Sequence, residues 1–101
     1  MIALRARRVV VGLASTLAGY EALRYAVALA REQGTTLVAV RAYRSSRAYP
    51  YEWQRALAWE AKNDAALIFA EALGGEPHDV DITVAIRPGP VAAVLAEVAN
   101  D

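Results

Sequence analysis

Hydrophobic and polar positions follow a strand–helix order that repeats three times along the chain. Continuous apolar runs predict two interior strands, over residues 9–13 and 36–43, because strands buried on both faces show no polar alternation. The third predicted strand, residues 80–86, alternates apolar with polar residues, which is typical of an edge strand. Strands that alternate with helices indicate a parallel sheet with right-handed crossovers.

Three helices are predicted from apolar stripes at helical spacing. The first runs over residues 17–33, with Ser15 or Thr16 as N-cap and Gly34 at its end. The second runs over residues 51–73, and the third begins at Pro90, which fits the first helical position. The predicted core stripe of the second helix is Trp53, Leu57, Ala61, Ala65, Ile68 and Ala72.

These elements predict an α/β fold as a single domain over residues 1–101. We expect a three-layer β-α-β-α-β-α arrangement around a parallel sheet, with the strands in the spatial order third–second–first. In that order the apolar first strand has an exposed far edge, and such an edge invites pairing with another strand. A hydrophobic content of 56% also suggests that a second chain covers part of the surface.

Charge and reactive residues narrow the classes of function. A net charge of +0, from 11 basic and 11 acidic residues, argues against nucleic-acid binding. The chain has no cysteine, and the one histidine, His78, lies in a predicted loop, so we expect no metal site. No apolar run approaches a membrane span. Arginines precede the first strand as in a signal peptide, but Gly12 interrupts the apolar run, and the expected location is the cytoplasm.

Several segments together resemble the universal stress protein family. They are the opening strand Arg8-Val9-Val10-Val11-Gly12-Leu13, the small residues Ala14-Ser15-Thr16, the helix over residues 22–31, the second strand over residues 38–43 and the segment 84–90. The resemblance covers nearly the whole chain in order and spacing. It implies an adenine nucleotide alpha hydrolase-like fold with five parallel strands, often dimeric, in which many members bind ATP.

The chain departs from the family pattern in two ways. The resemblance implies an acidic residue at the end of the first strand, where this chain has Ala14. It also implies a glycine-rich phosphate loop after a fourth strand, and the sequence ends where that strand should begin. Gly74-Gly75 follows a helix and is therefore interpreted as a C-cap. We expect a truncated, degenerate member with no cofactor, and no ATP binding in the family manner.

A vestigial adenosine pocket is the candidate binding site. It comprises Gly12, Leu13, Ala14, Val40 and Arg41, at the carboxyl ends of adjacent parallel strands, where such folds bind ligands. The favoured alternative is that these residues are core and turn. No catalytic residues are predicted, since the sequence places no histidine base beside a serine.

Arginines and aromatics are interleaved after the second strand. They are Arg41, Tyr43, Arg44, Arg47, Tyr49, Tyr51 and Trp53. Residues of these types favour a protein interface first, a solvated loop second and an anion site third.

The predicted function is a non-catalytic universal-stress-protein-like domain that forms a homodimer to complete its sheet, with a stress-response role. Two alternatives stay open. One is a nucleotide- or phosphate-binding module formed only in the oligomer. The other is a fragment of a longer ATP-binding universal stress protein.

Overall fold

Four strands and three helices make up the protein in a computed structural model. The model describes residues 2–5 and 7–100, with Leu4 and Arg5 described by their backbone only. In chain order the elements are β1 (Ile2–Arg5), β2 (Arg8–Gly12), α1 (Leu17–Gln33), β3 (Thr36–Tyr43), α2 (Tyr51–Leu73), β4 (Ile82–Pro88) and α3 (Val91–Ala99). The α/β class is confirmed, and β3, α1 and α2 have the predicted bounds.

The strands form one mixed sheet in the order β1-β2-β3-β4. Strands β2, β3 and β4 are parallel, whereas β1 is antiparallel to β2, with Ile2 opposite Val11 and Arg5 opposite Arg8. The sheet is therefore not wholly parallel, and the order third–second–first is not confirmed as the order of the sheet, because β1 adds a strand.

The far edge of the first predicted strand is not exposed, contrary to the expectation from the sequence. Strand β1 covers it, through a tight connection in which Arg7 has a left-handed φ of 68°. The apolar and polar pattern predicts no strand at this segment, where Arg5, Arg7 and Arg8 precede the apolar run of the first predicted strand. Its pairing with β2 becomes evident only when the chain turns back on itself.

The helices lie on the two faces of the sheet. On one face, α1 and α2 pack against Val9 and Val11 of β2, and on the other, α3 packs against Val10. Alternate residues of a strand point to opposite faces, so β2 contributes to both parts of the core. Two arginines tie helix ends to this framework. Arg8 Nη2 donates to the Val98 carbonyl at 2.7 Å, and Arg24 Nε donates to the Ala72 carbonyl at 2.7 Å.

The buried stripe of α2 is shorter than predicted. Ala61 is its first buried residue, whereas Trp53 is 61% exposed and Leu57 is only half-buried. The first ten residues of the helix therefore contribute no buried side chain. The apolar spacing of Trp53 and Leu57 fits a core stripe, but the helix begins before it reaches the body of the domain.

The predicted third strand also shifts by two residues. The ladder with β3 begins at Ile82, opposite Leu37, and runs to Pro88. Val80 belongs to the core by its buried side chain although it precedes the strand. Burial and strand pairing therefore begin at different residues here.

An exposed ion pair joins α1 to the loop before β4. Arg31 donates to both carboxylate oxygens of Asp79, at 2.5 and 3.0 Å. The hydrogen bond from Arg31 holds the pKa of Asp79 below its ordinary value, with a smaller contribution from the charge of Arg31. Because the folded pKa is lowered, the ionised carboxylate stabilises the fold above the unfolded pKa, and this contribution is lost as the pH falls through the folded value.

We expect Asp79→Asn to lower the free energy of unfolding slightly at pH 7, because the charge-assisted pair is lost while the site is fully solvated. The difference from wild type should shrink as the pH falls below about 4. Urea unfolding at a series of pH values measures it, with Asp81→Asn as the control. A deficit that stayed constant down to the lowest pH would contradict this role for the carboxylate.

Candidate functional site

The five residues predicted as an adenosine pocket come together at the carboxyl ends of β2 and β3. The Leu13 N–H donates to the Val40 carbonyl at 2.8 Å, which continues the ladder one residue past β2. Gly12 lies opposite Val40 in that ladder. Adjacent parallel strands end at the same edge of a sheet, which is why residues 28 positions apart along the chain become neighbours.

Most of this edge is core. Leu13 and Val40 are buried. Gly12 lies beneath α3, so that a Cβ at this position would come within 3.2 Å of Leu95 Cδ1. Ala14 and Arg41 are half-buried. The interpretation of these positions as core and turn therefore fits Gly12, Leu13 and Val40 as core and Ala14 as turn, which leaves Arg41.

Arg41 bridges three elements across this edge. Its Nη1 donates to the Leu13 carbonyl at 3.1 Å, and its Nη2 donates to Asp64 Oδ2 of α2 at 3.4 Å. The Arg41 side chain is 24% exposed and that of Asp64 is 36% exposed, so water screens the ion pair only in part. The guanidinium of Arg41, which belongs to β3, thus links the end of β2 to α2 by hydrogen bonds.

The Nε–H of Arg41 is buried and has no hydrogen-bond partner among the residues that the structure describes. Buried polar groups of native proteins are nearly always hydrogen-bonded, so this donor is an exception that the described residues do not account for.

Asp64 is the residue of this site that the sequence analysis missed. The helical pattern places it on a wet face with Glu60, yet Asp64 is half-buried and Glu60 is exposed. Its position one residue before buried Ala65, on the border of the apolar stripe, is the signal that could have identified it.

The turn between β2 and α1 is held by close packing and a cap. Thr16 Oγ1 accepts a hydrogen bond from the Gly19 N–H at 3.0 Å, as a helix N-cap does. Gly19 is buried directly against the Ala14 carbonyl, and a Cβ there would overlap that oxygen. Because Gly19 has no side chain, the Ala14 carbonyl can pack directly against α1.

The arginine–aromatic stretch lies at the exposed start of α2. The Tyr49 and Trp53 rings contact each other at 6.0 Å between centroids, and Arg55 lies over the Tyr51 ring at 5.8 Å. Tyr51 is 69% exposed. The structure thus separates this stretch into Arg41, which belongs to the sheet edge, and aromatics that face solvent.

A second concave feature runs between α2 and β4, which we call the α2–β4 groove. It consists of two depressions that share Lys62 and Ile86, with volumes of about 730 and 300 Å³. Its lining residues are Tyr51, Glu52, Arg55, Ala56, Ala58, Trp59, Lys62, Ala65, Ala66, Phe69, Glu76, Val84 and Ile86. Lys62 Nζ lies over the Trp59 ring at 5.6 Å. None of the predicted pocket residues lines this groove.

Comparisons with known proteins agree with the resemblance of the sequence. The family model described as the universal stress protein family matches residues 5–101. The search of curated proteins found no match. Among the described residues, no helix has the length and apolar character needed to cross a membrane.

We expect Arg41→Ala to lower the free energy of unfolding by about 1–3 kcal/mol, because the Leu13 carbonyl loses a charged donor. Asp64→Asn should cost less than about 1 kcal/mol, since the 3.4 Å ion pair is long and partly solvated. Urea unfolding measures both. The control is Arg44→Ala at an exposed position, with an expected change within about 0.5 kcal/mol. Equal effects of Arg41→Ala and Arg44→Ala would contradict the bridging role.

Gly19→Ala tests the close packing of the turn. Helix propensity alone predicts that this change stabilises the protein by roughly 1 kcal/mol. We expect the opposite sign, a loss of about 1–3 kcal/mol, because the new methyl group overlaps the Ala14 carbonyl. The same unfolding measurement decides between them, with Ala28→Gly on the exposed face of α1 as the propensity control.

Proposed function

Because the chain belongs to the universal stress protein family, we propose that it is a non-catalytic stress-response domain that acts as a homodimer in the cytoplasm. The observation that carries the proposal is the position of Arg41. Its guanidinium lies on the Leu13 carbonyl and beside Asp64, at the sheet edge where the family resemblance implies adenosine contacts. Arg41 therefore forms hydrogen bonds within the protein at the edge where the resemblance implies a ligand.

The other positions of that edge support the same proposal. The resemblance implies an acidic residue where this chain has Ala14, whose methyl group accepts no hydrogen bond. On the opposite face, Leu95 leaves no room above Gly12 beyond van der Waals contact.

The Arg31–Asp79 ion pair is a structural contact rather than a catalytic one. The hydrogen bond from Arg31 lowers the pKa of Asp79, and both side chains lie at the surface. Perturbed groups that do chemistry are typically held in a cleft with a raised or lowered pKa suited to proton transfer. The Arg31–Asp79 pair instead joins a helix to a loop.

Exposed apolar side chains support assembly of the chain with a second copy. The large hydrophobic residues exposed in the described part of the chain are Leu17, Tyr25, Tyr49, Tyr51, Trp53, Trp59, Leu67, Val84 and Val91. More than half of these lie on or next to α2. Large exposed apolar side chains on and beside one helix are of the kind that a partner chain covers.

Three measurements test the proposed function together. Sedimentation equilibrium in the micromolar range should give twice the monomer mass. Calorimetric titration with ATP and Mg²⁺ should give no heat of binding, and denatured protein should release no adenine absorbance. A monomer would overturn the homodimer, and bound or titratable ATP would overturn the non-nucleotide function, so the two parts fail separately.

A second candidate function is a phosphate- or nucleotide-binding module that forms only in the oligomer. The buried, unpartnered Nε–H of Arg41 favours it, because one chain supplies no acceptor for this donor among its described residues. ATP titration of the dimer distinguishes the two: heat that vanishes with Arg41→Ala but persists with Arg44→Ala would favour the module.

A further inference from the structure

We propose that two copies of this chain pair through the free edge of β4, antiparallel and centred on Val84, and that the α2–β4 groove closes against its counterpart. This interface rests on the proposed homodimer and specifies its surface. It would join two four-stranded sheets into one of eight strands.

The backbone of β4 determines which groups face outward. The Asp81 carbonyl accepts from the Leu37 N–H at 2.9 Å, and the Gly89 N–H donates to the Tyr43 carbonyl at 2.9 Å. Residues 81 and 89 therefore face β3. Because the N–H and C=O groups of successive strand residues alternate in direction, residues 83, 85 and 87 also face β3. The groups left for an outer partner belong to Ile82, Val84 and Ile86.

The side chains of the same three residues lie on the helical face of the sheet. Ile82 and Ile86 pack against the core cluster that contains α1 and α2. Val84, between them, is 37% exposed and lines the α2–β4 groove. The free edge thus presents an apolar strip and unpaired backbone groups along one line, a combination that sheet proteins usually protect.

A two-fold axis at Val84 pairs the largest number of outward-facing backbone groups of this edge. It places Val84 opposite Val84 of the second copy, and Ile82 opposite Ile86. Each of these three pairs exchanges two N–H···O bonds in an antiparallel ladder, which gives six. Moving the axis to Ile86 would set Val84 opposite Pro88, which has no N–H to donate. Self-complementarity about one axis is what an interface between identical chains requires.

Charges along the groove are arranged to match the same axis. Arg55 and Glu52 line the depression toward the start of α2, Glu76 lines the other depression, and Lys62 lines both. A two-fold axis makes the grooves of the two copies run in opposite directions. Glu76 of each copy therefore approaches the depression of the other copy that Arg55 lines. Complementary charge of this kind fixes register and partner more than affinity.

The small side chains of α2 on this side allow close approach of two helices. Ala58 and Ala66 line the groove, four residues on either side of Lys62. The exposed aromatics Tyr51 and Trp59 add area, since buried rings contribute roughly 150–250 Å² each. Together with a seven-residue strand, they contribute much of the roughly 800 Å² per partner of a standard interface.

The opposite edge of the sheet fits a second copy less well. Strand β1 has four residues, and Arg7 in its connection to β2 is exposed. Short strands with adjacent positive charge are a common protection against edge pairing. The edge of β4 is longer, and the residues whose backbone faces outward there, Ile82, Val84 and Ile86, are uncharged, so the observations favour this edge.

Single cysteines test the register directly, because the natural chain has none. In the proposed dimer the Cα atoms of the two Val84 residues lie about 5.5 Å apart, which is within disulfide range. Under mild oxidation Val84→Cys should form a covalent dimer. Ile82→Cys is the matched control on the same edge, since its two copies would lie about 14 Å apart. A cross-link in both variants, or in neither, would overturn the Val84-centred pairing.

A charge substitution tests the interface itself. Val84→Lys sets two ammonium groups face to face, and we expect it to raise the dimer dissociation constant by roughly 100-fold or more. Tyr25→Lys, at an exposed position of α1, should leave the constant unchanged. Sedimentation measures the dissociation constants of both variants, and circular dichroism checks that they fold. If Val84→Lys fails to fold, the cysteine variants still test the interface. A dimer unaffected by Val84→Lys would overturn this interface alone, whereas a monomeric wild type would overturn the homodimer as well.

Discussion

Burial of β2 on every side organises this domain. Val9, Val10 and Val11 have no exposed surface, because α1 and α2 cover one face, α3 covers the other, and β3 and β1 pair with the two edges. A fully buried valine contributes roughly 1.5–3 kcal/mol, so this strand alone contributes a large share of a small domain's stability. Each of the helices α1, α2 and α3 and the strands β1 and β3 covers one face or one edge of β2.

This constraint also shapes the carboxyl edge of the sheet. With β2 held at the centre, its last residues lie beside the end of β3, and Arg41 reaches both the Leu13 carbonyl and Asp64 on α2. The edge where such folds bind ligands is thereby joined to the helical layer by the chain's own side chain. The long α2 extends past this edge, so that its aromatic start is exposed, and β4 forms the last strand of the sheet on this side.

The apolar spacing and the cap residues predicted a helix or strand correctly where residues close together in the sequence determine it. The helix over residues 17–33 has a capping Thr16 and a terminal glycine, and both serve as predicted. The prediction failed where distant contacts decided. Trp53 has core spacing but no core beneath it, and β1 exists because β2 offers an edge to it. For the candidate site, the pattern identified Arg41 but not Asp64, since their 23-residue separation conceals their contact.

The sequence by itself determined the α/β class, the two interior strands, the three helices and the family, because apolar periodicity and cap residues act locally and extend over nearly the whole chain. Only the tertiary structure decided that the far edge of β2 is covered, that Arg41 is directed at Leu13 and Asp64, and that β4 carries the free apolar edge. These features depend on which strands become neighbours and where a helix ends relative to the sheet. The spacing of apolar residues along the chain does not predict which distant residues become neighbours in the folded protein.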